Sequence, residues 1–253
     1  REIERILIAL TDRVRPQLPV IKAWAGFARK LDRLQAAAQL SGLLHASFPS
    51  VSDDNSALEI HSGCNPELIL TKSRKEVVST TMHLSRGMPM LLISGPNAGG
   101  KSVALKTVGL LQLMLQCGLP IPAEESTRLP IVTRLFLDIG DDQSIQNDLS
   151  TYTSHLTRMQ TVLAQADEHS LVLIDEFGTG TDPSLGGPVA EAILEQFVTR
   201  GLWGVITTHY SNLKEMGERE ERIANAAMAF DRQQLSPTHV LEQGLPGSSF
   251  ALE

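Results

Sequence analysis

The chain has 253 residues, of which 42% are hydrophobic and 20% charged, ordinary proportions for a globular protein long enough to bury a core. Its net charge of −7 argues against a broad nucleic-acid-binding face on this piece. No stretch approaches the roughly 18 uninterrupted apolar residues of a membrane span, so no membrane is expected. Cys64 and Cys117 stand far apart in no paired motif, as expected of a reducing, cytoplasmic compartment. The opening Arg1-Glu2-Ile3-Glu4, without an initiator Met, reads as a fragment of a longer protein.

In chain order, Ile3, Leu7, Leu10 and Val14 recur at spacings of four and three, the apolar stripe of a helix. Pro16 and Pro19 interrupt it, and a second helical pattern runs over residues 20–46, with Trp24, Phe27, Leu31 and Leu34 on one side. Residues 48–55 have linker composition. Leu58-Glu59-Ile60 alternates like a short strand, Gly63-Cys64-Asn65-Pro66 turns the chain, and residues 76–84 are expected to be extended. Met90–Ile93 is an apolar run, residues 103–117 are helical, and Gly118 supplies a stop. Residues 131–137 are rich in strand formers, and residues 151–166 carry Leu156, Met159 and Leu163 at helical spacing.

Leu171-Val172-Leu173-Ile174 has no alternation, which suits a strand buried on both faces of a parallel sheet. A glycine-rich loop over residues 178–187 precedes a helix expected from Pro188, and residues 202–208 form another buried strand ending at His209. Residues 225–230 and 238–241 read as two weaker strands. Strands alternating with helices imply an α/β fold whose ligands bind at the C-terminal ends of the strands.

Chemistry concentrates after the first buried strand. Gly95, four residues, then Gly100-Lys101-Ser102 is the spacing of a phosphate-binding loop. At average composition such a match arises by chance in roughly one chain of this length in a hundred, and chance gives no reason for it to lie between a strand and a helix. Backbone N–H groups of such a loop turn inward around phosphates, and the following helix presents its positive end. Lys101 then reaches the β- and γ-phosphates and Ser102 holds Mg²⁺. Asp175 and Glu176 end the next fully apolar strand. Phosphoryl transfer needs such a pair, Asp175 for Mg²⁺ and Glu176 to orient and deprotonate the attacking water. His209 ends a further strand, where it would serve as donor and sensor of a γ-phosphate. His155, on a helix, reads as packing or capping. Ser144–Thr151 is too polar for a core element and precedes a well-patterned helix whose N-terminus suits an anion.

Taken together, these segments resemble the MutS family. Gly95-Pro96-Asn97-Ala98-Gly99-Gly100-Lys101-Ser102 is similar to its phosphate loop. Asp138-Ile139-Gly140-Asp141-Asp142-Gln143-Ser144-Ile145 and Leu149-Ser150-Thr151-Tyr152-Thr153-Ser154-His155-Leu156 resemble its next two motifs. Asp175-Glu176-Phe177-Gly178-Thr179-Gly180-Thr181-Asp182-Pro183 resembles its Walker B and D-loop, and Thr207-Thr208-His209-Tyr210 its switch histidine. The wording at Asp142-Gln143-Ser144-Ile145 and Thr181-Asp182-Pro183 is similar to the second bacterial branch rather than the mismatch-recognition branch. The chain departs from the family at Cys64-Asn65-Pro66, where Arg-His-Pro is usual, and at Phe177, usually aliphatic.

The resemblance implies a P-loop NTPase of ABC/MutS type, with a mixed, largely parallel sheet flanked by helices and preceded by a helical segment. Residues 1–48 would be the end of the lever and core region and residues 49–253 the ATPase domain. It implies ATP and Mg²⁺ as cofactors, with Gly95 to Val103 around the phosphates and Val77 and Val78 near the adenine. It also implies a head-to-tail homodimer with composite sites, in which Ser150 reaches the opposite subunit's γ-phosphate and Asp182 communicates across the interface. DNA or a ribosome would be engaged through domains outside this chain, and any nuclease activity would lie there too. Rival expectations are a mismatch-recognition ATPase, a transporter's nucleotide-binding subunit, which would carry a Leu-Ser-Gly-Gly-Gln signature, and a non-enzymatic assembly module.

Overall fold

The structure, a computed structural model, describes residues 1–52, 56–140, 148–179, 182–231, 233–234 and 236–244. Of the motif residues above, Asp141, Asp142, Gln143, Ser144, Ile145, Gly180 and Thr181 lie outside the described residues, as do the side chains of Asn97, Leu149, Ser150, Thr151, Tyr152 and Pro183.

Helix α1 (Glu2–Val14) passes through a single 3₁₀ turn, Arg15–Gln17, into the long α2 (Leu18–Leu44). The second helix therefore starts before residue 20. A proline in the first helical turn gives up an N–H that has no intrahelical partner, so Pro19 opens α2 where the sequence reading had it interrupt. The side chains of α1 are exposed, and only Leu44 of α2 is buried, against Cys64, Ile69 and Val77.

Strands β1 (Ser50–Val51) and β2 (Ala57–Gly63) lead to α3 (Pro66–Thr71), which Asn65 caps by accepting from the N–H groups of Glu67 and Leu68. After a 3₁₀ turn at Arg74–Glu76 comes β3 (Thr80–Ser85) and then β4 (Met90–Ser94). Helix α4 (Lys101–Gln116), β5 (Arg128–Leu129), β6 (Arg134–Asp138) and α5 (Asp148–Gln165) follow. The chain continues through β7 (Ser170–Ile174), α6 (Pro183–Thr199), β8 (Trp203–Thr207), α7 (Ser211–Arg219), β9 (Ile223–Asp231) and β10 (Ser236–Gln243). Helix α6 thus begins five residues ahead of Pro188. Asp182 caps it by accepting from Ser184 N–H at 2.8 Å, and Pro188 lies inside it.

Two sheets result. The larger has the order β10-β9-β4-β8-β7-β6; β9, β4, β8, β7 and β6 are parallel, and β10 is antiparallel to β9. The smaller is β1-β5-β2-β3; β2 and β3 fall on the expected strand at residues 58–60 and the expected extended segment 76–84, whereas β1, β5 and the pairing of the four have no counterpart in the sequence reading. Every residue of β4, β7 and β8 is buried, because both faces of the large sheet are covered. Leu91, Ile93, Leu171, Leu173 and Val205 face one core with α4 and the small sheet. Met90, Leu92, Val172, Ile174 and Ile206 face the other, beneath α5, α6 and α7. The strand order sets the site: β8 lies between β4 and β7, so what ends β7 meets the phosphate loop across the end of β8.

Candidate functional site

The loop after β4 is built on two left-handed glycines, Gly95 at φ 130° and Gly100 at φ 96°, where a β-carbon is strained. Between them Asn97–Gly99 makes one 3₁₀ turn. Space beside the loop is as restricted as its dihedrals. A β-carbon on Gly99 would lie 3.0 Å from Met228 of β9, and one on Gly100 would lie 3.1 Å from His239 Nδ1 of β10. Lys101 is 3% exposed, and its Nζ donates to the carbonyl oxygens of Gly95 at 2.8 Å and Pro96 at 3.1 Å. Its ammonium is folded back onto the loop that precedes it. Burial, with Lys214 adding to it, pulls Lys101 below the ordinary lysine range against the opposing charges of Glu176 and Asp175.

The sequence reading assigned roles at the end of β8 to His209 alone, yet the segment before and after it frames the acidic pair. Thr207, fully buried, donates through Oγ1 to Asp175 Oδ1 and accepts from Glu176 N–H at 2.8 Å. Phe177 N–H donates to Thr207 O at 2.8 Å, Thr208 Oγ1 to Phe177 O at 3.3 Å, and Tyr210 OH to Gly178 O at 2.8 Å. This lacing holds Glu176 at φ 51°, the left-handed region that costs a residue with a β-carbon roughly 1–3 kcal/mol. Glu176 is exposed and Asp175 half-buried.

On the other side, Thr208 N–H donates to Ile93 O at 3.1 Å, which seats His209 beside the start of the phosphate loop. Its Nε2 is buried and without a hydrogen-bond partner among the described residues. Burial depresses the His209 imidazole, Lys101 and Lys214 depress it further, and Asp175 opposes them. Lys214, on the first turns of α7, is half-buried and itself lowered by burial. Lys101 and Lys214 therefore lie close enough to His209 to depress it, and an anion entering beside them would relieve that charge and meet the buried Nε2.

The remaining predicted residues are placed as follows. Gly95, Pro96, Asn97, Ala98, Gly99 and Gly100 form the loop, Lys101, Ser102 and Val103 the first turn of α4; Ser102 is half-buried and Val103 exposed. Val77 packs with Leu44, Cys64 and Ile69, whereas Val78 is 41% exposed, so of that pair Val78 is the one open to a ligand. Ser150 lies in the first turn of α5, and Asp182 is occupied as the cap of α6. His239, which the sequence reading did not single out, leans on the loop with Nδ1 3.2 Å from Gly99 O. Among the described residues there is no cluster of three or more His, Cys, Asp or Glu able to hold a metal. A Mg²⁺ held by Ser102 and Asp175 would complete its shell with water and phosphate oxygens, as such sites do.

Residues 91–253 match the family described as MutS domain V. The chain is 42% identical over 252 residues to a protein of Clostridium kluyveri named Endonuclease MutS2, and 41% identical over the same length to Endonuclease MutS2 of Clostridium botulinum. Each alignment covers the whole of this chain and 31% of the relative, so the chain spans about a third of the curated relatives it matches.

Proposed function

The chain belongs to the MutS family, on its MutS2-like side, and from that premise we propose that it is an ABC-type ATPase domain that hydrolyses ATP as a dimer-gated switch. The observation that carries this reading is the convergence of Lys101, Asp175, Glu176 and the unmet Nε2 of His209 at the ends of β4, β7 and β8. The two left-handed glycines and the folded-back Lys101 suit a cradle for phosphates. ATP would supply the phosphoanhydride bond, and Mg²⁺, when bound, would neutralise charge on its oxygens. Lys101 exchanges the carbonyls of Gly95 and Pro96 for phosphate oxygens. Ser102 and Asp175 would hold the cation, Glu176 would take the proton of the attacking water, and His209 would offer Nε2 to the terminal phosphate.

Half of each site would come from a second copy, with Ser150 facing the partner's γ-phosphate and Asp182 relaying across the interface. Residues 1–48 would be the end of the lever and core region. The full-length protein would use the switch to clamp branched DNA, suppressing recombination, or to engage stalled, collided ribosomes. What co-purifies with it, DNA junctions or ribosomes, separates these uses.

The chemistry is tested by two variants in a coupled turnover assay with a fluorescent ATP analogue for binding. Lys101→Ala loses binding. Glu176→Gln keeps binding, hardly turns over and accumulates as dimer. Equal turnover in wild type and Glu176→Gln would remove Glu176 as the base and with it the proposed mechanism.

A further inference from the structure

The site described above leaves a buried carboxylate unused. Asp138 ends β6 and is 5% exposed. Its Oδ2 shares a 2.7 Å hydrogen bond with His155 Nδ1, and its Oδ1 accepts from Arg158 Nη1. Both partners come from α5, three residues apart and so on one helix face. The main chain of the same residue serves the other neighbour: Asp175 N–H donates to Asp138 O at 2.8 Å, and Asp138 is in register with Ile174 in the β6–β7 pair. One residue thus joins α5 by its side chain and Asp175-Glu176 by its backbone.

Burial alone would raise the Asp138 carboxyl. The hydrogen bonds and charges of His155 and Arg158 outweigh it and hold the group below the ordinary carboxylate range. Only the carboxylate is buried, Arg158 being about half exposed, so the cost of losing these partners falls on Asp138, whose charge is left uncompensated. Apolar packing also holds α5, through Met159 and Val162, each 3% exposed in the core beneath it, but those contacts lie C-terminal to the Asp138 partner His155. A small recess lined in part by His155, Met159, Phe177 and Val189 opens between α5 and α6. A second recess, lined in part by Leu137, Arg158, Thr161 and Val172, opens beside α5 at β6 and β7.

We propose that Asp138, His155 and Arg158 are positioning residues that clamp α5, and through it Ser150, in register with the acidic pair. This rests on the ATPase reading given above. Ser150 precedes His155 by five residues, about 7–8 Å along the helix axis. A tilt of about 8° about the clamp therefore moves it by about 1 Å, a misplacement that costs reactions on the order of a hundredfold. The clamp connects the part of the site offered to a partner copy with the part that cleaves the bond in its own subunit.

The test uses the full-length protein and four variants: Asp138→Asn, His155→Ala, His155→Gln and Arg158→Lys. Amide hydrogen exchange is followed without nucleotide over residues 148–165 and 170–174, and kcat and KM are measured for ATP. Asp138→Asn and His155→Ala are expected to exchange at least tenfold faster over 148–165 with 170–174 unchanged, and to lose kcat at least tenfold with KM held within twofold. His155→Gln and Arg158→Lys, which keep a donor, recover most of the turnover. Unchanged protection of α5 in the first two variants would overturn the clamp. So would a fall in Tm with kcat per folded molecule intact, since the cluster would then only stabilise the fold. A wild type without turnover would overturn the hydrolysis reading and the clamp's part in it, while the exchange arm would still decide whether the cluster holds α5.

Discussion

Thr207→Val removes one hydroxyl from the centre of the site while keeping the shape and β-branching of a fully buried strand residue. The hydroxyl has two bonds, one donated to Asp175 and one accepted from Glu176 N–H. A hydrogen bond to an ionised group contributes about 1.5–3 kcal/mol, and a part-buried N–H left without a partner costs about 1 kcal/mol at the low end of its range. The added methyl returns less than about 0.8 kcal/mol. The net loss is about 2–4 kcal/mol, or a Tm lower by about 4–16 °C in a chain of this size. Catalysis should suffer separately. Glu176 is held at φ 51° by this tether and by Phe177 N–H on Thr207 O, and a Glu176 freed to leave the left-handed region no longer points where the loop needs it. A coupled turnover assay should show kcat down at least tenfold, equivalent to about 1.4 kcal/mol of barrier, with binding of a fluorescent ATP analogue within about twofold. Thr207→Ser, which retains the hydroxyl, should restore most of both. Wild-type kcat in a folded Thr207→Val protein would refute the argument that Thr207 positions the acidic pair.

Gly178→Ala places a β-carbon 2.6 Å from the Tyr210 ring at a position with φ 91°, so the ring must move and release Gly178 O. The expected cost is about 1–3 kcal/mol, read as a lower unfolding midpoint that Tyr210→Ala partly relieves. For His209, burial and the charges of Lys101 and Lys214 keep the folded pKa below the ordinary value. Protonation therefore favours the unfolded chain, and stability declines as pH falls from the unfolded pKa, about 6.5, toward the folded one. An anionic ligand reverses the local field, so imidazole NMR should show the His209 pKa rising on addition of a non-hydrolysable ATP analogue, with no rise in Lys101→Ala. Mixing Ser150→Ala with Lys101→Ala subunits should recover partial turnover from two inactive parents. No recovery at any ratio would leave each site confined to one subunit.

The phosphate loop was legible because its signal is local: a spacing of glycines and Lys101 between an apolar run and a helical pattern. Strands β7 and β8 were legible for a related reason, since a strand buried on both faces shows as an unbroken apolar run. The four-stranded sheet was not, because β1 and β5 are two residues each and are defined only by pairing with distant segments. At α6 the conspicuous Pro188 masked the real start, which rests on the Asp182 cap. Thr207, though part of the quoted His209 motif, carries no readable role of its own, because a threonine ending a strand gives no sign of a carboxylate 32 residues away. His155 reads from its helix only as packing or capping, because nothing along α5 indicates the Asp138 carboxylate 17 residues before it. His239 reaches the loop only through the break in the β9–β10 register between Pro237 and Leu241 and its own φ of 60°.

These misses share a cause that bears on how the site would work. Each missed residue joins segments that are separate in sequence, and together the joints sort the site into parts. Thr207, Thr208 and Tyr210 tie the acidic pair and its turn to the end of β8, so Asp175, Glu176 and the backbone of His209 form one unit. The phosphate loop is a second part, and its lysine is bonded to the loop's own carbonyls. Those bonds to Gly95 and Pro96 must break before Lys101 can serve a phosphate, and His209, seated beside Ile93 and Ser94, is the residue of the first unit next to that change. Helix α5 is a third part, joined to the first through Asp138. Nucleotide entering at the loop would thus act on the acidic pair through the end of β8, and the pair would be coupled through β6 to the helix that carries Ser150. A loop that reads in the sequence as a self-contained motif is, in the structure, the middle term of that connection.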